Sequence, residues 1–321
     1  MIRVLVGAIA LAVSMFAHAQ SWPSKPVRIV VAFPPGGGVD FVARTVAQRL
    51  GEQLNQSFVV ENRAGASGAV GAEAVAKSAP DGYTILVASP SEVVVGPAAG
   101  QKLSYDPTRD LAPVTLIGET PLVIAAWPAF APKSIAEVIA LAKADPSKVA
   151  YGTPGGGSTM HFAGESLGAG GGVSLLHVPY KGAAPAVNDA LGGQVPLIIV
   201  GMPPVVPHAK AGKLRVIAVT GDKRSVTMPD VPTVAEVPGF EGYRFTNWMG
   251  VYVPANTPTE IVNKLASAIA AITREPATRD KLLLQGVEPV GNTPAEFAAF
   301  MRAEKDRYSK IAQERKIRIE P

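Results

Sequence analysis

The 321-residue sequence contains no cysteine, which removes disulfides, thiolate metal sites, iron–sulfur clusters and a cysteine nucleophile together. Charge is scarce as well. Asp, Glu, Lys and Arg make up 17% of the chain, against roughly 25% in an average soluble domain, so a disordered, self-repelling chain is excluded and a large core has to be buried. Aromatic residues are 6% and no basic stretch is interleaved with them, so the net charge of +4 does not point to nucleic acid. Beyond the N-terminus no apolar run approaches the ~20 residues a spanning helix needs. What the chain has instead is 32 Gly and 29 Pro. They follow no G-X-Y period and fall between apolar runs, as punctuation between many short elements.

Met1 to Gln20 has the layout of an export signal: Arg3, an apolar stretch from Val4 to Phe16, and Ala17-His18-Ala19 as an A-x-A cleavage site. The expected organisation is a signal peptide over 1–19 and an exported mature chain. No cysteine follows the site, so a lipid anchor is excluded.

In the mature chain strand-like and helix-like runs alternate. Val27 to Phe33 is a β-branched run; after Pro-Pro-Gly-Gly-Gly, the segment VDFVARTVAQRL spaces its apolar residues as a helix does. The pattern repeats through SFVVENR, GAVGAEAVAKSA and YTILVAS. A second series runs from SIAEVIALAKA and VAYGT to VPLIIVG and KLRVIAVTG. This alternation predicts an α/β fold of mainly parallel sheets flanked by helices. Two long extended stretches, PVTLIGETPLVIAAWP, broken at Pro121, and RFTNWMGVYVPAN, separate the series. They predict a discontinuous lobe 1 (20–121 and 247–321), a continuous lobe 2 (122–246) and a two-strand hinge with a cleft between the lobes.

Each lobe carries one Pro-Gly-Gly-Gly turn between a strand and a helix: Phe33 to Asp40, with Pro35, Gly36, Gly37 and Gly38, and Gly152 to Thr159, with Gly155, Gly156 and Gly157. Strand-to-helix loops line the crevice of open α/β sheets. Glycines expose backbone N–H groups, and the following helix start adds about half a positive charge. Two opposed loops of this kind suit an anion, and the lack of Lys or Arg in either favours a carboxylate over a polyphosphate. Thr153, Ser158 and Thr159 have two open roles, donating to that anion or capping the helix. Asp40 either accepts first-turn N–H groups or meets a ligand hydroxyl, ammonium or water. His161 either braces the second loop or reaches the ligand. Ser89, Ser91 and Tyr180 stand at strand ends where they can face the same crevice; Trp248 is open between cavity wall and core.

No cofactor or metal is implied: GxxxxGK[ST], G-x-G-x-x-G and H-E-x-x-H are all absent. Gly164-Glu165-Ser166-Leu167-Gly168 matches G-x-S-x-G, but the motif needs a strand-to-helix turn, and this serine falls late in a predicted helix. An exported serine hydrolase is therefore the weaker reading.

The strings KPVRIVVAFPPGGGVDFVAR, VVENRAGASGAVGAEAVAKSAPDGYT, YDPTRDLAPVTLIGETPLVI, HVPYKGAAPAVNDALGGQV and PDVPTVAEVPGFEGY resemble the Bug proteins, the periplasmic receptors of tripartite tricarboxylate transporters. The resemblance spans essentially the whole mature chain. It implies a two-lobed type II periplasmic binding protein fold, a periplasmic location, and a small organic carboxylate held by the loops Phe33 to Asp40 and Gly152 to Thr159. It further implies a non-enzymatic monomer serving membrane subunits of a transporter or a sensor kinase. One departure bears on the ligand. After GGQV the family commonly has an acidic residue, whereas this chain reads Pro196-Leu-Ile-Ile-Val-Gly201. An apolar rim at Gly201 disfavours an amino acid, whose ammonium needs a carboxylate partner, and favours a ligand with an apolar or aromatic body.

Overall fold

The computed structural model describes residues 22–315 and Ile317; the expected signal segment 1–19 lies outside the described residues. The first lobe begins with the unit read from sequence. The β-branched run becomes β1 (Val27–Val31), which pairs in parallel with β2 (Phe58–Asn62) and β3 (Thr84–Ala88). Between β1 and β2 lies α1 (Gly38–Leu54), whose Val39, Val42, Ala43, Val46 and Leu50 form one buried stripe. That stripe drives the helix onto the sheet, each large buried side chain contributing roughly 1.5–3 kcal/mol. The helix stops at Asn55, which takes the left-handed conformation at φ 50°. After α2 (Ala69–Ala76) and β3, a single wide π turn, Ser91–Val95, leads into a short helical turn and on to the hinge.

The second lobe repeats the scheme with α3 (Ile135–Ala144), β5 (Ala150–Thr153), α4 (Thr159–Gly171), β6 (Leu176–Pro179), α5 (Ala183–Leu191), β7 (Leu197–Gly201), α6 (Val206–Lys210) and β8 (Arg215–Val219). Strands β5, β6 and β7 are parallel. The chain returns through β9 (Thr246–Pro254) and closes with α7 (Thr259–Arg274), α8 (Pro276–Leu283), the short β10 (Glu288–Pro289) and α9 (Pro294–Glu314).

With β4 (Leu111–Ala126) between them, hydrogen bonding runs through both lobes as one path, β2-β1-β3-β9-β4-β7-β5-β6, with β8 and β10 also on β4. Sequence reading places a break at Pro121. The structure instead has one strand, β4 (Leu111–Ala126), passing straight through it. Its partner changes there: Leu111 to Pro121 pair with β9, and Leu122 to Ala126 pair with β7 and β8. A proline that lacks a ladder donor is tolerated where a strand exchanges neighbours. Trp248 on β9 is fully buried and donates through Nε1 to Glu304, so it belongs to the core.

Candidate ligand site

The two glycine loops share a geometry. In the first, Gly36 sits at φ +87°, and its N–H points to Asp40 Oδ2 at 3.1 Å. Asp40 also accepts from Arg44 Nε at 3.0 Å and from Asn62 Nδ2 at 2.9 Å. Burial pushes its carboxyl up, but the hydrogen bonds from Arg44, Asn62 and the Gly36 amide outweigh that and hold it below the usual carboxylate value. In the second loop, Gly157 sits at φ +74° and its N–H points to His161 Nδ1 at 3.1 Å. His161 stacks on His177 with ring centres 4.1 Å apart, and His177 Nε2 meets Thr153 Oγ1 at 2.6 Å. Burial, opposed in part by Glu165, pushes His161 down, so the ring is a neutral acceptor. Burial and the neighbouring ring push His177 down to about 3.

The loops meet the opposite lobe. A Cβ on Gly36 would lie 3.5 Å from Ala184, and one on Gly38 would lie 3.3 Å from Pro203. Ser67 Oγ donates to the Gly156 carbonyl across the cleft. Between the lobes is a narrow, half-open cavity of about 40 Å³. Helices α1, α4 and α5 all begin at its wall, through Gly38 and Val39, Met160, and Ala183. First-turn amides have no intrahelical acceptor, so the three starts concentrate donors and partial positive charge on this space. No Asp, Glu, Lys, Arg or His lines it. The remaining wall is apolar, from Phe33, Pro34 and Pro154, apart from Ser89, Ser91, Ser158 and Asn247.

These hydroxyls differ in what they have left to offer. Ser158 caps α4: its Oγ accepts from the His161 amide and donates to the Gly155 carbonyl. Ser89 donates through Oγ to Glu92 Oε2 at 2.6 Å and accepts from the Ser91 amide, while its own amide donates to Glu92 Oε1. Glu92 is fully buried in the π turn behind the wall, and burial pushes its carboxyl up to about 7 despite those bonds. Ser91 Oγ enters none of the bonds of this cluster, which leaves its proton for the cavity.

Of the residues singled out in sequence, Phe33, Gly37, Gly38, Ser89, Ser91, Ser158 and Gly201 line the narrow cavity. Gly155, Gly156 and Tyr180 line an outer chamber of about 450 Å³ that shares Phe33, Pro34 and Pro154 with it, and Tyr180 donates to Asp189. Pro35, Gly36, Asp40, Thr153, Gly157, Thr159 and His161 line neither. Asp40, Thr153 and His161 hydrogen-bond the loops from behind, His161 by accepting from the Gly157 amide. Ser166 lies in the middle of α4, buried, rather than at a strand-to-helix turn. Sequence reading missed Asn247, Met160, Ala183 and Glu92. Asn247 had a faint signal, a polar residue opening the apolar strand TNWMGVYVP.

Comparison with known proteins identifies what carries this site. Residues 42–317 match the family model of the tripartite tricarboxylate transporter family receptor. The protein BugT of Bordetella pertussis is 37% identical over 297 residues, covering 92% of this chain and 91% of its own. Among solved structures, Rpa4515 of R. palustris with adipate superposes with a TM-score of 0.89 at 36% identity, covering 92% of this chain and 99% of its own. MatC from Rhodopseudomonas palustris with bound malate gives 0.84 at 29% identity, covering 90% and 99%. Family model, relative and fold agree, and the chain belongs to the tripartite tricarboxylate transporter receptor family, the Bug/TctC-type periplasmic solute-binding proteins.

Proposed function

We propose that this chain is exported to the periplasm by cleavage of residues 1–19, captures a small organic carboxylate in the cavity between its lobes, and presents it to a tripartite tricarboxylate-type transporter. The carrying observation is the cavity itself: three helix starts converge on a space with no charged side chain. An anion there is held by backbone dipoles and the Ser91 hydroxyl, and a cation finds no partner. Adipate and malate in two structural neighbours support a carboxylate. The site is the pair of loops Phe33 to Asp40 and Gly152 to Thr159 together with Ser89, Ser91 and Gly201; Asp40, Thr153 and His161 shape it from behind. No chemistry on the ligand is required of it.

The lobes take the boundaries 20–121 with 247–321 and 122–246, a division supported by the partner exchange in β4 at Pro121. Rotation about β4 and β9 then opens the cavity and closes it around ligand, and the membrane partner reads the closed shape. A thermal-shift screen of mono-, di- and tricarboxylates tests the reading, because a ligand bound only by the native state raises the apparent stability. A rise of several degrees with at least one is the expected result. No shift with any of them overturns the carboxylate assignment.

A further inference from the structure

Asn247 brings to the cavity wall a buried acceptor that nothing satisfies. Strand β9 holds it opposite Thr120 of β4, where it is 4% exposed. Its Nδ2 comes no closer to Met249 Sδ than 3.9 Å, and its Oδ1 has no hydrogen-bond partner among the described residues. Gly201, also in the wall, keeps space open beside the amide: a Cβ there would lie 3.8 Å from Asn247 Nδ2. A buried amide oxygen without a partner is costly, and a ligand that donates to it recovers the cost.

The chemistry required follows from what the rest of the wall provides. Helix starts only donate, and a carboxylate only accepts, so the two satisfy each other and leave Oδ1 unpaired. A ligand made of carboxylates and methylenes alone does the same. One that also carries a hydroxyl or a carboxamide donates to Oδ1 and accepts from Nδ2.

Resting on the carboxylate reading above, we propose that Asn247 is the specificity-determining residue of this cavity and selects carboxylates that bear a hydroxyl or carboxamide over their plain-chain counterparts. This sharpens the inference drawn from the apolar rim at Gly201: the ligand body is apolar except for one donor group that meets β9.

Calorimetry with matched pairs tests it: succinate against malate, butyrate against 3-hydroxybutyrate, and glutarate against glutaramate. The unmodified protein is expected to bind the polar member about tenfold more tightly in at least one pair, the scale of discrimination that a buried hydrogen-bonding group readily exceeds. In Asn247→Ala the ratio is expected to fall to about one, since the unpaired group is gone. Gly201→Ala provides a second reading that does not depend on the fold of the first variant. Its Cβ makes ordinary contacts only, so the melting temperature should hold while the preference shrinks. A preference that survives in both variants, or plain members that bind as well as polar ones throughout, overturns the role of Asn247 and leaves the carboxylate reading standing. Absence of binding by every compound to the unmodified protein overturns that reading, and the proposal falls with it.

Discussion

The two glycine loops carry the same four residues, Pro-Gly-Gly-Gly, and solve the same problem with opposite chemistry. Each puts one glycine at positive φ and turns that residue's N–H onto a side chain four positions later. In the first loop the acceptor is an ionised carboxylate, Asp40, itself held by Arg44 and Asn62. In the second it is the neutral imidazole of His161, held by stacking on His177. Both acceptors lie outside the cavity lining, so neither puts a titratable group on its wall. The lesson is that a polar brace behind a glycine loop need not be neutral, provided that its charge is already answered on the far side.

That difference can be broken experimentally, starting with the braces. Asp40→Ala strands the Gly36 amide and takes one partner from Asn62 and from the half-exposed Arg44, and should cost about 2 kcal/mol in urea unfolding. His161→Ala strands the Gly157 amide alone and should cost about 1 kcal/mol. Equal losses would mean that the loops are braced alike.

Glu92 stands behind the third wall of the cavity and sharpens the comparison from outside it. Its folded-state pKa is raised to about 7, so its contribution to stability is fully present below the unfolded value and is lost as pH rises toward and through 7. The loss should be on the order of 3 kcal/mol, and denaturation midpoints followed from pH 4.5 to 8 in Glu92→Gln should show that slope flattened.

The histidines run the other way. Their folded pKa values are depressed, so stability is present above the unfolded value of about 6.5 and falls as pH drops below it. Facing His161 are Glu165 on its own helix, His177 on β6 and, through Glu165, Tyr151 on β5. At pH 5 the Gly157 amide should therefore exchange its hydrogen faster relative to Gly36 than it does at pH 7.5, because Asp40 keeps its charge at both. A parallel change at the two amides would dissolve the contrast.

The smallest effects concern the glycines themselves. Gly36→Ala forces a Cβ into φ +87° and should cost about 1 kcal/mol. Gly156→Ala meets nothing within 4 Å at an ordinary φ and should change stability by less than about 0.5 kcal/mol. Melting temperatures of the two variants separate a strained glycine from an unstrained one.

Much of the architecture was legible because it rests on local pattern. The stripe Val39, Val42, Val46, Leu50 announces α1, and VRIVV announces β1, since burial on one face or on both sets the spacing. The glycine loops were legible as paired strand-to-helix turns because a strand, a glycine turn and a helix start follow in sequence. Even the braces were within reach: Asp40 and His161 each stand four residues after the amide they accept. Pro121 misled because a proline reads as an interruption, and nothing in the sequence says that β4 changes neighbours there. Glu92 and Ala183 were not legible, and Asn247 only faintly, because their relevance depends on residues far away in the chain meeting at one wall.

The sequence by itself determined the alternation of strands and helices, the paired glycine loops and the family, since each is written in neighbouring residues. The tertiary structure alone decided which side chains still have hydrogen bonds to give. Ser89 and Ser158 are spent on Glu92 and Gly155, while Asn247 is not. That distinction arises only when β9 is laid against β4 and the two lobes close on one cavity, because whether a polar group is satisfied is a property of the space around it.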